Sequence, residues 1–442
     1  MKDKDNNNFI MKYTTLLITA AIILGFYACN TGFKDTITPN DFKGSDIERI
    51  QAAVNAAKET TQKVVIPQKN ANGRNSWIID SAILLPSNMT VVLDNCIIQL
   101  SDSCRDNMFR SDNVGIGITD PEWNHNIHLV GIGNVVLKGA NNPRATGDSY
   151  RTLTMEPEKI KLWSIDSADN VGRVSYGSDA GKEGRRQMGD WRNIMILIAQ
   201  VDGFSLKNLK IENSHSWAVS FERSHNVEID GIRIYNPETM MINGVQKKVH
   251  NKDGINLRQG CKYFRINNIS GLNGDDIIAL SSLDVAPYFH TPGDIASYQV
   301  TSTKWYGPQD DTEQVWIRNV QTNYGGVAIR ASGDSGIHHV YIDGVMTQDR
   351  PDTPPPYGGS RFSVMVSGLK YGEPSMPGKI NNIYAMNLIG DGKSLIKIEA
   401  PVEDCAFMNG IYTGQASSAT LYTVDKETTK NVQITNVIKT SD

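Results

Sequence analysis

Three aspartates in the middle of the chain have a spacing that could bring them together. Asp253 lies in the tetrad Asn-Lys-Asp-Gly, and Asp275 and Asp276 follow Gly274 further along. Each motif is followed by a short apolar run whose residue pattern is typical of a β-strand. If these runs are strands of a parallel stack, positions about one repeat apart lie above one another. The spacing therefore predicts that three carboxylates converge on one patch.

Three converging carboxylates without a basic cluster beside them in sequence fit two kinds of chemistry. One is the binding of a cation, and the other is acid–base hydrolysis. Cleavage of a glycoside needs one carboxyl group that protonates the leaving oxygen and another that activates water. Crowded like charges raise one pKa, so one carboxyl group keeps its proton near neutral pH.

Composition narrows the class of protein. The chain has 442 residues, a net charge of −4 and 21% charged residues, so we expect no nucleic-acid partner. The 38 glycines fit a loop-rich and strand-rich protein. Cysteines at 96, 104, 261 and 405 are not spaced like a zinc site, and we expect neither a metal nor another cofactor. Most of them are expected to fill the core, and a disulfide between Cys96 and Cys104 stays open.

The N-terminus resembles an export signal. An apolar run, Leu16 to Phe26, follows Lys12 and ends near Cys29. The run is too short to span a bilayer, which takes about 20 residues, and suits a signal-peptide core. We predict a lipoprotein-like signal over 1–29 with Cys29 lipidated, and a tether over 30–44; an ordinary cleaved signal is the alternative. Either form places the protein in the cell envelope, as an outer-membrane lipoprotein or a periplasmic or secreted protein.

A repeat of alternating apolar residues organises the rest of the chain. Its pattern is apolar-x-apolar-x-Asn/Asp/Gly-apolar, and it occurs at 204–209, 227–232, 264–269, 315–320, 340–345 and 432–437. Alternate side chains would point inward, and the Asn or Gly would let the backbone turn between sheets. The repeat predicts an all-β fold, a right-handed parallel β-helix over 45–442. A capping box at Ser45 and Glu48 predicts a helix over Ile47–Ala57 that covers its N-terminal end.

The order of motifs resembles the polygalacturonases of glycoside hydrolase family 28, of the bacterial type. The motifs are Arg192-Asn193, Glu212 to Trp217, Asn251 to Gly254, Gly274-Asp275-Asp276 and Tyr324-Gly325-Gly326. The resemblance implies an inverting hydrolase that cleaves an α-linked, uronic-acid-containing, pectin-like glycan. By that resemblance Asp275 is the general acid, while Asp253 and Asp276 hold and deprotonate water. An inverting pair is typically separated by about 6.5–9.5 Å, which admits the water.

Two departures from the family concern recognition of the substrate. Tyr324 stands where the family has a histidine, and the segment from Arg361 to Val366 offers no obvious counterpart of the family's Arg-x-Lys. Arg330 is the candidate to replace that positive charge, with a solvated rim position as the alternative. Decorated glycans such as rhamnogalacturonan are therefore favoured over plain polygalacturonate. The expected substrate-binding residues are Asn251, Tyr324, Arg330, His215 and Arg192. The histidines, His215 included, are otherwise expected to be mostly solvated.

Two other functions remain open at this point. A polysaccharide lyase or epimerase on the same fold would use the aspartates as calcium ligands. In a non-catalytic glycan-binding protein the three aspartates would have lost their catalytic role. In each case the partner is a polysaccharide and the expected state is a monomer, with membrane contact only through the lipid anchor.

Overall fold

The structure is a computed structural model that describes residues 36–104, 106–141, 151–152, 186–187, 191–237, 239–242, 245–248, 253–283, 291–293, 297, 299–348, 360–367, 374–422 and 428–440. The predicted signal segment, Cys29 and Asn251 lie outside these residues. Within the described part of the chain, no helix is long and apolar enough to cross a membrane.

Strands make up nearly all of the regular structure. In chain order the first are β1 Lys63–Ile66, β2 Ser76–Ile79, β3 Ile83–Leu85, β4 Met89–Asp94, β5 Ile97–Leu100, β6 Phe109–Ser111, β7 Asn124–Ile132, β8 Val136–Lys138, β9 Arg151–Thr152, β10 Arg186–Gln187, β11 Ile196–Ala199, β12 Val201–Glu212, β13 Val219–Glu222 and β14 His225–Tyr235. The others are β15 Thr239–Ile242, β16 Val245–Lys248, β17 Ile255–Leu257, β18 Lys262–Leu272, β19 Asp276–Leu283, β20 Thr312–Thr322, β21 Gly325–Ser332, β22 Ile337–Thr347, β23 Phe362–Ser367, β24 Ile380–Gly390, β25 Ile396–Ile398, β26 Glu403–Tyr412, β27 Thr420–Tyr422 and β28 Lys430–Lys439.

These strands form a right-handed parallel β-helix, which confirms the predicted fold class. A 14-stranded sheet runs from β1 through β12, β14, β18, β20 and β22 to β28, and a ten-stranded sheet runs from β3 through β13, β17, β19 and β21 to β27. All pairings within these two sheets are parallel, whereas β9–β10 and β15–β16 are antiparallel hairpins. Each of the first three turns adds two strands to the long sheet and one to the ten-stranded sheet, and from β11 onward the chain alternates between the two sheets, apart from the β15–β16 hairpin.

The sequence repeat corresponds to the long strands of the first sheet. Ile229 pairs with Leu206 on one side and with Ile266 on the other, and all three side chains are buried in the core. The Asn or Gly of the repeat bends each strand between two faces: Asn208 and Gly231, for example, have φ of 56° and 69°. Asn and Gly tolerate this left-handed backbone best, which explains why the repeat requires them.

The one α-helix among the described residues, α1 (Asp46–Lys58), closes the N-terminal end of the coil. Ser45 and Glu48 form the predicted capping box, so this prediction is confirmed to within one residue at each end. The helix buries Ile50, Ala53 and Val54 over the first rungs. Short 3-10 turns occur at Pro39–Asp41, Trp191–Asn193 and Pro308–Asp310.

The cysteines fill the core, as expected. Cys96, Cys104, Cys261 and Cys405 are all buried thiols within the main apolar cluster. Cys96 and Cys104 are both free thiols in the structure, and the Cys104 thiol donates to the Asp106 carbonyl oxygen at 3.5 Å. Burial raises the pKa of the Cys96 thiol to about 12.

Candidate active site

The ten-stranded sheet brings the three aspartates together. Ile255 of β17 pairs with Ile278 of β19, so Asp253 and Asp276 take equivalent places on adjacent rungs. The Gly254 N–H donates to the Asp276 carbonyl at 2.9 Å across this step. One carboxylate oxygen of each of Asp253, Asp275 and Asp276 lies within 4.8 Å of the others. The predicted convergence is confirmed.

The glycines of the motifs are required by close approach. A Cβ on Gly325 would lie 2.7 Å from Asp276 Oδ1, and one on Gly254 would lie 2.5 Å from the Ile277 carbonyl oxygen. Side chains at these positions would push the rungs or the carboxylate apart. Glycine therefore lets neighbouring rungs pack against the carboxylates.

A buried amide ladder positions the Asp275-Asp276 turn. Asn273 Nδ2 donates to the Asp276 carbonyl at 2.9 Å. One rung below, Asn236 Nδ2 donates to Asn273 Oδ1 at 3.3 Å and to Ser214 Oγ at 2.9 Å. All three side chains are fully buried. These positioning residues were missed in the sequence, although their recurrence directly after a strand on consecutive rungs was a usable signal.

Asp253 is almost enclosed. Its Oδ2 accepts from Asn256 Nδ2 at 3.0 Å, and its Oδ1 accepts from the Asp276 backbone N–H at 3.2 Å. Burial raises the pKa of Asp253 to about 8, and the charges of Asp275 and Asp276 act in the same direction. The crowded site therefore holds a proton at neutral pH, and Asp253 and Asp276, whose pKa values are both raised by burial, share it. Sequence reasoning expected that proton on Asp275.

Asp276 is the most buried of the three, with 1% of its surface exposed. Arg330 Nη2 lies 2.5 Å from Asp276 Oδ2, and their side chains are only 8% and 2% exposed. Burial raises the pKa of Asp276, while the Arg330 charge opposes that shift. Asp276 Oδ1 is also buried and has no hydrogen-bond partner among the described residues. This oxygen therefore retains unused acceptor capacity beside Arg361 Nη1, which lies 3.8 Å away.

Asp275 is the accessible member, with a side chain that is 30% exposed. Its Oδ1 lies 2.6 Å from Arg361 Nη1, which is 3.8 Å from Asp276 Oδ1. Asp276 pairs with Gly325 and Gly325 with Phe362, so Asp275, Tyr324 and Arg361 each directly precede these paired positions on successive rungs. The Arg361 guanidinium lies 5.4 Å from the Tyr324 ring centre. A cation and a phenol thus adjoin the accessible carboxylate.

Only some of the predicted substrate-binding residues lie beside the aspartates. Tyr324 and Arg330 are brought to the aspartates, but Arg330 is a buried partner of Asp276 and not a solvated rim residue. Arg361, which was not among the predicted substrate-binding residues, is the cation at the accessible side of the site. Arg192 is half-buried in the 3-10 turn Trp191–Asn193, and its role stays a prediction.

His215 corrects an expectation. The ring was expected to be mostly solvated, but it is fully buried, and its Nε2 lies 2.9 Å from the Ala140 carbonyl oxygen. A Cβ on Gly139 would come within 2.4 Å of that Nε2. His215 thus packs against backbone, and its burial does not favour the predicted contact with a glycan.

The separation of the carboxylates also differs from expectation. The sequence argument called for roughly 6.5–9.5 Å between acid and base. The nearest oxygens lie within 4.8 Å because Asp253 and Asp276 are stacked on adjacent rungs, with Asp275 next to Asp276 in the chain. A short separation is typical of retaining enzymes, so distance alone does not support inversion.

Comparison with known proteins agrees with the fold and the motifs. Residues 126–288, which include all three aspartates, match the model of glycosyl hydrolases family 28. A hyperthermoactive exopolygalacturonase from Thermotoga maritima superposes with a TM-score of 0.55 at 14% identity, covering 92% of each chain. The tailspike protein of E. coli bacteriophage HK620, in complex with a pentasaccharide, gives 0.54 at 11% identity, covering 92% of this chain and 67% of its own. No curated protein matches the sequence. At these identities the structural likeness shows the parallel β-helix fold, and the link to family 28 is the sequence match over 126–288.

Proposed function

We propose that this protein is a glycoside hydrolase that cleaves an α-linked, uronic-acid-containing, pectin-like polysaccharide or oligosaccharide. The observation that supports this best is the trio itself: one accessible carboxyl group beside two buried ones, held on adjacent rungs. The family match over residues 126–288 is consistent with this chemistry.

We assign a role to each carboxyl group of the trio from its exposure to solvent and from its partners. Asp275 is exposed enough to reach a glycosidic oxygen, so it donates the proton to the leaving group. Asp276 is paired with Arg330, which favours its ionised form, and its unpartnered Oδ1 accepts the proton of the attacking water. Asp253 lies beside both and helps to hold that water.

One proton must be on the donor when the substrate is bound. Before substrate binds, the raised pKa values of Asp253, about 8, and of Asp276 keep the proton on this buried pair at neutral pH. A substrate group that draws Arg361 away from Asp275 would remove a positive charge and let Asp275 take the proton. After bond cleavage the leaving oxygen has gained this proton, the anomeric carbon has gained hydroxide, and Asp276 holds the proton from water.

Burial supports inversion in spite of the short separation. Asp253 and Asp276 are 9% and 1% exposed and are held by Asn256 and Arg330, so neither carboxylate can approach an anomeric carbon closely. A water bound to Asp276 Oδ1 is small enough to do so. We therefore propose direct attack by water and an inverted product. Proton NMR of the first product tests this, because a retained anomeric configuration contradicts it.

The cation at the accessible side points to an acidic sugar. Arg361 lies over the rings of Tyr324 and Phe362 and beside Asp275, where the sugar at the scissile bond must lie. A guanidinium binds a uronate carboxylate in a charge-assisted geometry. The absence of a second basic residue next to Arg361, where Phe362 and Ser363 follow, favours decorated glycans over plain polygalacturonate.

A calcium-dependent lyase or epimerase is the second candidate. Three carboxylates within 4.8 Å could hold a cation, but Arg330 and Arg361 already neutralise two of them. Calcium would have to displace a buried guanidinium, which costs free energy. Turnover that survives chelation, without ultraviolet-absorbing unsaturated products, supports hydrolysis; the opposite pair of results supports the lyase.

The decisive experiment compares Asp275→Asn with the unchanged protein on a panel of plant and algal polysaccharides. The amide is nearly isosteric but cannot donate the proton, so turnover falls by at least about 10²–10⁴-fold while glycan binding persists. Asp334→Asn is the matched control, because that side chain is 66% exposed and lies at a different strand end. Binding without turnover in the unchanged protein would indicate the non-catalytic glycan-binding alternative.

Location and assembly complete the proposal. We propose export through the segment 1–29, lipid attachment at Cys29 and a monomeric enzyme at the cell envelope, where a polysaccharide is accessible. The apolar run before Cys29 supports this proposal.

A further inference from the structure

A second group of metal-ligating side chains lies on the outer surface of the long sheet. Glu313 of β20 pairs in register with His338 of β22, and His339 follows it in the chain. Ligand atoms of these three residues lie within 4.8 Å of one another. The group is separate from the aspartate trio, which lies at the start of strands of the other sheet.

The donor atoms already approach the geometry of a metal site. Nδ1 of His338 lies 2.9 Å from Nδ1 of His339, and the rings are inclined at 82°. Glu313 Oε2 lies 3.6 Å from His338 Nδ1. Ligands about 2.0–2.1 Å from a tetrahedral zinc lie about 3.3 Å apart, between these two values. These two distances lie within a few tenths of an ångström of the value for a zinc site, and the third pair, His339 and Glu313, has ligand atoms within 4.8 Å of each other.

The surroundings hold the ligands in place. Asp311 Oδ2 lies 3.6 Å from the other nitrogen of His338, and Asp311 Oδ1 accepts from the Gly336 N–H at 2.7 Å and from Trp305 Nε1 at 2.8 Å. A carboxylate behind a ligating histidine fixes the ring and its tautomer. Lys262 Nζ lies 2.6 Å from Glu313 Oε1 and leaves Oε2 for an ion.

We propose that Glu313, His338 and His339 bind a zinc ion. Two imidazole nitrogens and one carboxylate oxygen suit zinc, whereas calcium and magnesium prefer oxygen ligands alone. The His338 and Glu313 side chains are 20% and 23% exposed, so the ion can enter and a water can complete the tetrahedron. Through Asp311 the ion would tie β20 and β22 to the turn that contains Trp305.

The neighbouring rung supplies a matched variant. His338 pairs with Asn381, and His339 and Asn382, the next residues of the two strands, both have a left-handed backbone, with φ of 56° and 53°. His339→Asn therefore introduces a residue that the same bend already accepts one rung away. Loss of zinc binding in this variant would not be a consequence of misfolding, which circular dichroism checks independently.

The test is calorimetric titration of zinc chloride into the purified, chelator-treated protein, with thermal unfolding as a second readout. We expect one zinc per chain, a rise in Tm with zinc, and no response to calcium or magnesium. His339→Asn should lose the zinc-dependent rise in Tm, and Asp311→Asn should weaken binding about 10–100-fold through loss of the supporting carboxylate. His128→Asn, whose ring contacts Ser205 Oγ, is the control that keeps it.

Three outcomes would overturn the proposal: no zinc binding by the unchanged chain, equal zinc binding by His339→Asn, or equally tight calcium binding that His339→Asn abolishes. None of these outcomes bears on glycan turnover, so this site and the proposed function fail independently.

Discussion

Replacing Asp253 by asparagine should change how stability depends on pH. The folded-state pKa of Asp253 is about 8, against 3.8 for the ordinary group. Between these values the folded protein holds a proton that the unfolded chain has released, so folding becomes less favourable as pH rises. The contribution of the Asp253 proton to the free energy of unfolding is fully present below about pH 4 and is lost as pH rises through about 8. Asp253→Asn cannot titrate and lacks this dependence.

The magnitude follows from the slope, which is about 1.36 kcal/mol per pH unit for one proton. From pH 5 to pH 7 the variant should therefore gain about 3 kcal/mol relative to the unchanged protein. Asn256 Oδ1 has no hydrogen-bond partner among the described residues, so its amide can flip and accept from the amide that Asp253→Asn introduces. Any remaining loss of packing or hydrogen bonding is the same at both pH values and cancels in the difference.

The assay is denaturant unfolding of both proteins at pH 5 and pH 7, with Asp334→Asn as an exposed control. That side chain is 66% exposed, and its removal should leave the difference between the two pH values unchanged. If Asp253→Asn shows the same difference from the unchanged protein at both pH values, Asp253 is ionised when folded. The argument that burial keeps a proton in this site would then be wrong.

Three further outcomes are expected. Arg330→Gln breaks a buried ion pair and should cost about 3–5 kcal/mol of stability. The acid limb of its pH–rate profile should move to higher pH, because Asp276 loses the charge that favours its ionised form. Arg330→Lys should restore part of the lost stability and part of the original pH–rate profile. Turnover of the unchanged enzyme should fall as pH rises through about 8, where Asp253 loses its proton, and a flat profile to about pH 9 would contradict this. Arg361→Gln should raise KM for an acidic oligosaccharide by about tenfold and leave KM for its methyl-esterified form nearly unchanged, as a comparison of initial rates on the two substrates can show.

The coil and its aspartate trio could be predicted because both follow from local pattern. The bend residues, such as Asn208 and Gly231, mark each rung in the sequence, since few other residues accept a left-handed backbone without strain. Once the rungs are counted, Asp253 and Asp276 must be neighbours. Helix α1 was likewise visible in its capping box, because Ser45 and Glu48 satisfy backbone groups within the same turn.

The partners of the trio could not be predicted in the same way. Arg361 precedes β23 and lies two rungs from Asp275. Because a long segment separates β22 from β23, the spacing in the sequence does not indicate that these two residues are aligned. Arg330 is outward-facing by alternation, yet its long side chain turns back along the sheet to Asp276, a choice that depends on burial and charge. The fully buried His215 is a similar case, because its position after a strand gives no sign of what covers it.

The sequence alone determined the fold class, the residues that bend each rung and the identity of the converging carboxylates, because backbone conformation and hydrophobic alternation act over a few residues. Only the tertiary structure decided which carboxyl group is exposed, which guanidinium neutralises it and where the resting proton lies. Burial and electrostatic interaction depend on distances between residues far apart in the chain, such as Asp275 and Arg361 at 2.6 Å. The same reason brings Glu313 beside His338, which no spacing in the sequence indicates.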